Sequence, residues 1–370
     1  MEVAVLFPVL DIDRRFFAER LAGFLPDRII DFHTHVWLKA FGLPGPRIAR
    51  GPTWPARVAN ENSVDDLLET YRLMLPGCAA TPLLLGWPER EVDQERANGY
   101  ISAAIQQRGL PGLIVTLPEW PAAELERRVK AGGFAGLKPY LNLAPAHIPA
   151  AEITIFDFLP HHHLEAADAR GWIVLLHIPR PSRLRDPLNL AQMREIERRY
   201  PNVKLVIAHI GRAYCPEDIG DAFAVLADAG RMCFDFSANT NPYVMTRLLR
   251  AVGPRRVIFG SDLPVVRMRM RRICENGFYV NLTPPGLYGD VSDDPHMREV
   301  SQAEGEQLSF FLYEELFAFR QAAEAVGLTA GDVQDVFCGN AERLLARVAN
   351  FRKVGNPGPL APGVKHAHRA

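Results

Sequence analysis

Two imidazoles stand two residues apart in Asp31-Phe32-His33-Thr34-His35, directly after the apolar run that begins Arg28-Ile29-Ile30. In an extended strand residues i and i+2 point to the same side, so both rings face one way. Taken alone, the pair reads either as two metal ligands or as two hydrogen-bonded polar residues at a strand end. Partners recur downstream. His177 ends a series in which Ile173 and Leu175 share its face, and His209 ends the series Val203, Leu205, Ile207. Asp262 follows a further apolar strand in Phe259-Gly260-Ser261-Asp262. Four imidazoles and a carboxylate, each closing an apolar, one-faced series, are better explained by one common site than by five separate accidents. Neutral imidazoles with a carboxylate are ligands for zinc or another borderline divalent cation.

The elements that must carry these groups alternate along the chain. Strand signals at 28–35, 81–86, 112–117, 134–140, 172–177, 203–209, 232–236 and 256–260 are separated by helical signals at 63–75, 92–108, 121–131, 160–170, 187–199, 217–229 and 242–252. Ser63 with Asp65 and Asp66 marks a capped helix start, and Pro121 opens another. All-alternating order implies a parallel sheet with helices outside. The count of eight predicts a (β/α)8 TIM barrel with the site at the C-terminal ends of its strands, and an open doubly wound sheet is the alternative. A helix over 13–25 precedes the first strand and is expected against the closed end or a neighbouring subunit. The Pro/Gly-rich loop 37–60 is long enough to imply a function. The stretch 264–302, rich in Arg, Gly, Pro and Tyr, is expected to hang over the mouth as a lid or selecting loop. Residues 1–350 read as one domain and 351–370 as a flexible tail.

Composition narrows the class. The chain has 370 residues, 48% of them hydrophobic, which supports a large core, and 42 basic residues against 43 acidic give no reason to expect nucleic acid or an anionic membrane as partner. No apolar run approaches the roughly 20 residues of a membrane span. Five scattered cysteines without a C-x-x-C fit reduced thiols in a cytoplasmic enzyme.

Together with Ala208-His209-Ile210-Gly211, Phe259-Gly260-Ser261-Asp262-Leu263-Pro264 and Gly339-Asn340-Ala341-Glu342-Arg343-Leu344-Leu345, the histidine motifs resemble the amidohydrolase superfamily. The resemblance is greatest to the amidohydrolase-related group that holds lactonases, amide and ester hydrolases and decarboxylases similar to aminocarboxymuconate semialdehyde decarboxylase. It implies one divalent ion, zinc first and manganese next, held by His33, His35, His177 and Asp262. Asp262 and His209 would be the catalytic acid–base pair. Lys138, in Gly136-Leu137-Lys138, is implied either as an unmodified substrate-binding lysine or, when carbamylated, as the bridge to a second metal. Arg180, Arg212 and Arg267 each follow a strand end and suit a substrate carboxylate. The expected activity is hydrolysis of a lactone, ester or amide in a small carboxylated molecule by metal-bound hydroxide, with non-oxidative decarboxylation second and a catalytically silent scaffold third. Barrels of this kind often pair as homodimers. His161-His162-His163 reads as a solvated helix face, and Trp37, Trp54 and Trp87 as pocket lining or loop packing.

Overall fold

Strand and helix follow one another in the expected order. The computed structural model describes residues 6–44, 50 and 54–348; the tail expected after Phe351 and part of the long loop 37–60 lie outside the described residues. The strands are β1 (Arg28–His35), β2 (Ala79–Leu85), β3 (Ile114–Val115), β4 (Gly136–Lys138), β5 (Ile173–Leu176), β6 (Lys204–Ile207), β7 (Cys233–Asp235) and β8 (Val257–Ile258). β3 to β8 form a six-stranded parallel sheet in chain order, and β1 pairs with β2 in a parallel sheet of two. Every residue of β5 and all but the first of β1 are buried, as parallel strands covered on both faces must be.

Single parallel bridges join the two sheets, Leu84 to Gly112 on one side and Thr34 to Leu263 on the other. Main-chain hydrogen bonds reinforce the second junction: Phe32 N to Phe259 O at 3.0 Å, Asp262 N to His33 O at 2.7 Å and His35 N to Leu263 O at 2.7 Å. The ends of β1 and β8, which carry His33, His35 and Asp262, are therefore stitched together by backbone. Two glycines make such close approach feasible. A Cβ on Gly136 would lie 2.0 Å from the Ile173 carbonyl oxygen of the neighbouring strand, and one on Gly260 would lie 2.7 Å from the His33 Cβ.

The helices obey their local signals. Ser63 caps Val64–Met74, its hydroxyl accepting from Asp66 N while the Asp66 carboxylate accepts from Ser63 N. Asp186 and Asn241 cap Pro187–Arg199 and Pro242–Val252 by accepting from first-turn backbone N–H groups, each helix beginning with its proline. The helix expected over 217–229 is reduced to a 3-10 turn, Pro216–Asp218, and one turn at Ala222–Val225. Asp218 explains the break: its carboxylate turns inward to accept from Tyr214 N, Cys215 N and Arg183, which pins the chain in a bend.

Three further corrections follow. The stretch after β8 is a small sheet, with β9 (Arg271–Glu275) antiparallel to β10 (Phe278–Thr283) and β11 (Met297–Glu299) parallel to β10. The triple histidine is packed: His161 bonds Tyr200, His162 and His163 both bond the Trp120 carbonyl, and His163 is fully buried. Cys215 and Cys274 form a disulfide, because the sheet folds back to set their Cα atoms 5.8 Å apart across 59 residues of sequence. No local spacing foretells that pairing.

Candidate metal centre

Three histidines of the site owe their orientation to an oxygen behind them. His33 Nδ1 donates to the Asp235 carboxylate at 3.0 Å, His35 Nδ1 to the Gly86 carbonyl at 2.8 Å, and His209 Nδ1 to the Ser237 carbonyl at 3.0 Å. With the proton fixed on Nδ1, the lone pair sits on Nε2, the tautomer in which protein histidines commonly bind metals. Asp262 Oδ1 lies 3.5 Å from His35 Nε2 and 3.8 Å from His33 Nε2. His33, His209 and Asp262 present ligand atoms within 4.8 Å of one another. His177 stands next to this group, its ring 5.3 Å from that of His209 and 4.8 Å from Tyr140, and its Nδ1 is buried without a partner.

Burial sets the protonation states. It pushes His35 down to about 3 and holds His33, His177 and His209 well below the usual imidazole range, with neighbouring cations and histidines adding to the effect. All four are thus neutral near pH 7 and able to act as ligands. Asp262 is pushed well above the usual carboxylate range, again by burial, with Lys138 opposing and Asp235 and Asp31 assisting. Lys138 is fully buried, places Nζ 3.0 Å from His33 Nε2, and is pushed down to about 8 by burial against the pull of Asp235 and Asp262. A cation at Nε2 would meet this ammonium, so ion binding and the charge of Lys138 are linked.

Behind the ligands lies a buried carboxylate shell that sequence reasoning missed. Asp235 ends β7 and accepts from His33, His209 N, Ser237 N and Ser237 Oγ. Asp31 accepts from Tyr71 and Ser261, and burial raises it to about 7. Asp235 had the signal of the others, a polar residue closing a buried strand, in Cys233-Phe234-Asp235.

The backbone is also unusual here. Seven described non-glycine residues have positive φ, and five of them, Arg183, His209, Arg212, Ala238 and Asp262, line one cavity with the imidazoles. Left-handed backbone at ordinary residues is costly and concentrates at functional sites. That cavity brings together His33, His35, His177, His209, Asp262 and Arg212 of the expected set, along with Trp54 and Trp87. It does not include Arg180, which faces Asp186 at 3.6 Å, or Arg267, which points to Thr70 and the Phe7 ring. Lys138 lies beneath the histidines. The Trp37 ring lies 4.6 Å from that of Trp87, tilted by 41°. Arg50, Arg183 and Tyr214 also line the cavity and carried no sequence signal, whereas Arg272, Tyr279 and His296 come from the stretch 264–302 expected over the mouth.

Comparison with known proteins gives the chain a family. The amidohydrolase family profile matches residues 30–347, so the chain belongs to the amidohydrolase family. Among solved structures, an amidohydrolase from Burkholderia multivorans with bound HEPES is similar at 16% identity and TM-score 0.53, over 86% of this chain and 99% of that one. A dihydroxybenzoic acid decarboxylase from a Polaromonas species, with manganese and 2-nitroresorcinol bound, is similar at 16% identity and TM-score 0.52, over 88% and 99%. A probable 2-pyrone-4,6-dicarboxylic acid hydrolase from Acinetobacter baumannii, with citric acid bound, is similar at 18% identity and TM-score 0.51, over 85% and 98%. At these identities the likeness is one of fold. A search of curated proteins found no match. No helix among the described residues is long and apolar enough to cross a membrane.

Proposed function

We propose that this chain is a divalent-metal-dependent hydrolase that opens a lactone, ester or amide in a small carboxylated molecule. The observation that carries the reading is the convergence of neutral imidazoles, with Nδ1 protons fixed by oxygens, on the Asp262 carboxylate. Such a donor set fits a borderline ion, zinc or manganese. His33, His35, His177 and Asp262 would hold it, and the orphaned Nδ1 of His177 marks a buried imidazole still in want of a partner. Bound there, the ion would supply Lewis acidity and bring the pKa of a water down to about 7.

The chain's own groups move the protons. Asp262 accepts the proton of the attacking water. His209 keeps Nε2 toward the cavity and, once protonated there, polarises the substrate or protonates the leaving group. Lys138 acts as an unmodified amine within hydrogen-bond reach of His33; carbamylated, it would support a second ion instead. The backbone bonds between β1 and residues 259–263, with the bridge from β2 to Gly112, support an eight-stranded barrel closed around this site. A homodimer with no nucleic-acid or membrane partner is the assembly we propose. A cytoplasmic location was argued from unpaired cysteines, and the Cys215–Cys274 bond removes that ground.

The second reading is decarboxylation of a small acid by the same groups, with His209 or Asp262 delivering the proton. Its support is the fold shared with the manganese-bound decarboxylase. Turnover of lactone, amide and carboxylate panels in 18O-labelled water separates the two: hydrolysis places label in the organic product, whereas decarboxylation releases carbon dioxide and leaves the product unlabelled. His33→Ala and Asp262→Asn should cut turnover about 100- to 10,000-fold and lower metal content; His209→Asn should cut turnover by a similar factor with metal retained. Metal loss in His209→Asn would make His209 a ligand and favour two ions bridged through Lys138.

A further inference from the structure

Two half-buried guanidiniums of the cavity lining, Arg212 and Arg272, make no ion pair with a carboxylate among the described residues. Arg212 gives Nη1 to the carbonyls of Ile178, Pro179 and Arg180 at 3.3, 3.1 and 3.3 Å. Arg272, on β9, gives Nε to Asn281 Oδ1 at 2.8 Å and Nη1 to the Ala238 carbonyl at 2.6 Å, and its Nη2 has no hydrogen-bond partner among the described residues. All of these acceptors are neutral. The more deeply buried arginines differ: Arg183 meets Asp218 at 2.8 Å and Arg269 meets Asp13 at 2.7 Å. Asp262 and Glu315 act on Arg272 from a distance, but burial drives both strongly toward their neutral forms, so they offer little counter-charge. A desolvated cation without a counter-ion is costly, which implies that the counter-ion comes with a ligand.

The surroundings of Arg272 define the shape of that ligand. Its guanidinium lies 4.4 Å from the Tyr279 ring centroid, 4.6 Å from Phe311 and 4.8 Å from Tyr214. These faces hold the fork by cation–π attraction while two of its edges are already bonded. The Tyr214 ring is in turn 6.5 Å from that of His209, so one aromatic ring separates the free guanidinium edge from the imidazole cluster. These two distances bound the gap from above, so a molecule as small as a single six-membered ring with its substituents can touch both.

We propose that Arg272 is the specificity-determining residue of this site: it binds a carboxylate that lies across a planar, ring-sized substrate from the bond being attacked, with Arg212 as the second cationic contact. This rests on the cavity being the substrate site, as in the reading above, and it narrows the substrate class to planar acids with a distal carboxylate. The fork on β9 supplies the charge that Arg180 and Arg267, turned away from the cavity, do not.

The test is a binding measurement with isophthalate and its neutral analogue isophthalamide on the metal-loaded protein, followed by calorimetry or by the fluorescence of Trp54 and Trp87. The unaltered protein should bind the diacid at least about tenfold more tightly than the diamide, a comparison that needs no variant. Arg272→Met should weaken diacid binding at least about tenfold, with metal content and diamide binding unchanged, whereas Arg180→Met should leave both ligands as they were. Equal affinity for diacid and diamide, or undiminished diacid binding by Arg272→Met, overturns the proposal. Because the readout is binding, it stands apart from the hydrolase reading. Silence in every turnover panel with charge-selective binding intact would sink only that reading, and hydrolysis of neutral substrates without charge selectivity would sink only this one.

Discussion

The four cavity imidazoles and His163 share one electrostatic fate: burial strips the charged form of its solvent and holds each ring neutral. For His163, remote from the cavity, the effect can be read as stability. Burial pushes it down to about 4 in the folded protein, against about 6.5 for an unhindered imidazole. Between those values the unfolded chain binds more protons than the folded one, so stability is fully present above pH 6.5 and declines as pH falls toward 4. His163→Gln keeps an N–H for the Trp120 carbonyl and removes this titration. Its Tm should therefore fall less steeply than that of the parent from pH 6.5 to 4, the difference approaching about 2–3 kcal/mol at the acid end. Parallel Tm profiles would show that His163 does not titrate as described. The site's histidines were legible at this scale because each terminates an apolar run, a pattern visible in one dimension. Arg272 was not, because its importance lies in the carboxylate it lacks, and a missing counter-charge exists only in three dimensions.

Among elements, the clearest lesson comes from the helix Asp11–Arg20. Its first turn carries Asp13, which is fully buried and accepts from both terminal nitrogens of Arg269 at 2.7 Å, from Ser309 and from Leu10 N. The helix thus latches the chain just before β9 rather than only covering one end of the parallel strands. Removing one partner of a buried pair leaves the other charge desolvated, so Asp13→Ala should lower unfolding stability by about 3–5 kcal/mol in a denaturant titration. A loss below about 1 kcal/mol would mean that water reaches Arg269 freely. Helices whose caps and prolines were plain in the sequence match closely, Pro187–Arg199 and Pro242–Val252 among them. The segment 217–229 does not, because Asp218 satisfies distant backbone and Arg183 rather than its own helix. The small sheet β9–β11 escaped for the opposite reason: its turn residues advertise loops, and its pairing depends on docking over the cavity.

For the whole molecule, the alternation of strands and helices was enough to indicate a parallel α/β architecture, since that pattern arises from burial of each strand on both faces. The count of eight strands set β1 beside β8, but the particular backbone bonds between them were beyond reach, because they depend on close approach at one glycine, Gly260. Gly136 tests how rigid that architecture is. A methyl there would sit 2.0 Å from the Ile173 carbonyl oxygen, and both strands are locked by their ladders. Gly136→Ala should yield little soluble protein, or protein with Tm lowered by ten degrees or more, on the order of 3 kcal/mol or greater. A variant that melts with the parent would mean the sheet yields readily at β4.

The Cys215–Cys274 bond joins the turn that follows His209 and Arg212 to the strand that bears Arg272. The imidazole cluster and the arm that carries Arg272 are consequently one covalent piece, and a thiol reductant in the buffer would cut that cross-link. Two laboratories preparing the protein with and without such a reagent would then be handling different tethers around the same cavity, and their substrate preferences should be compared only after the thiols have been counted.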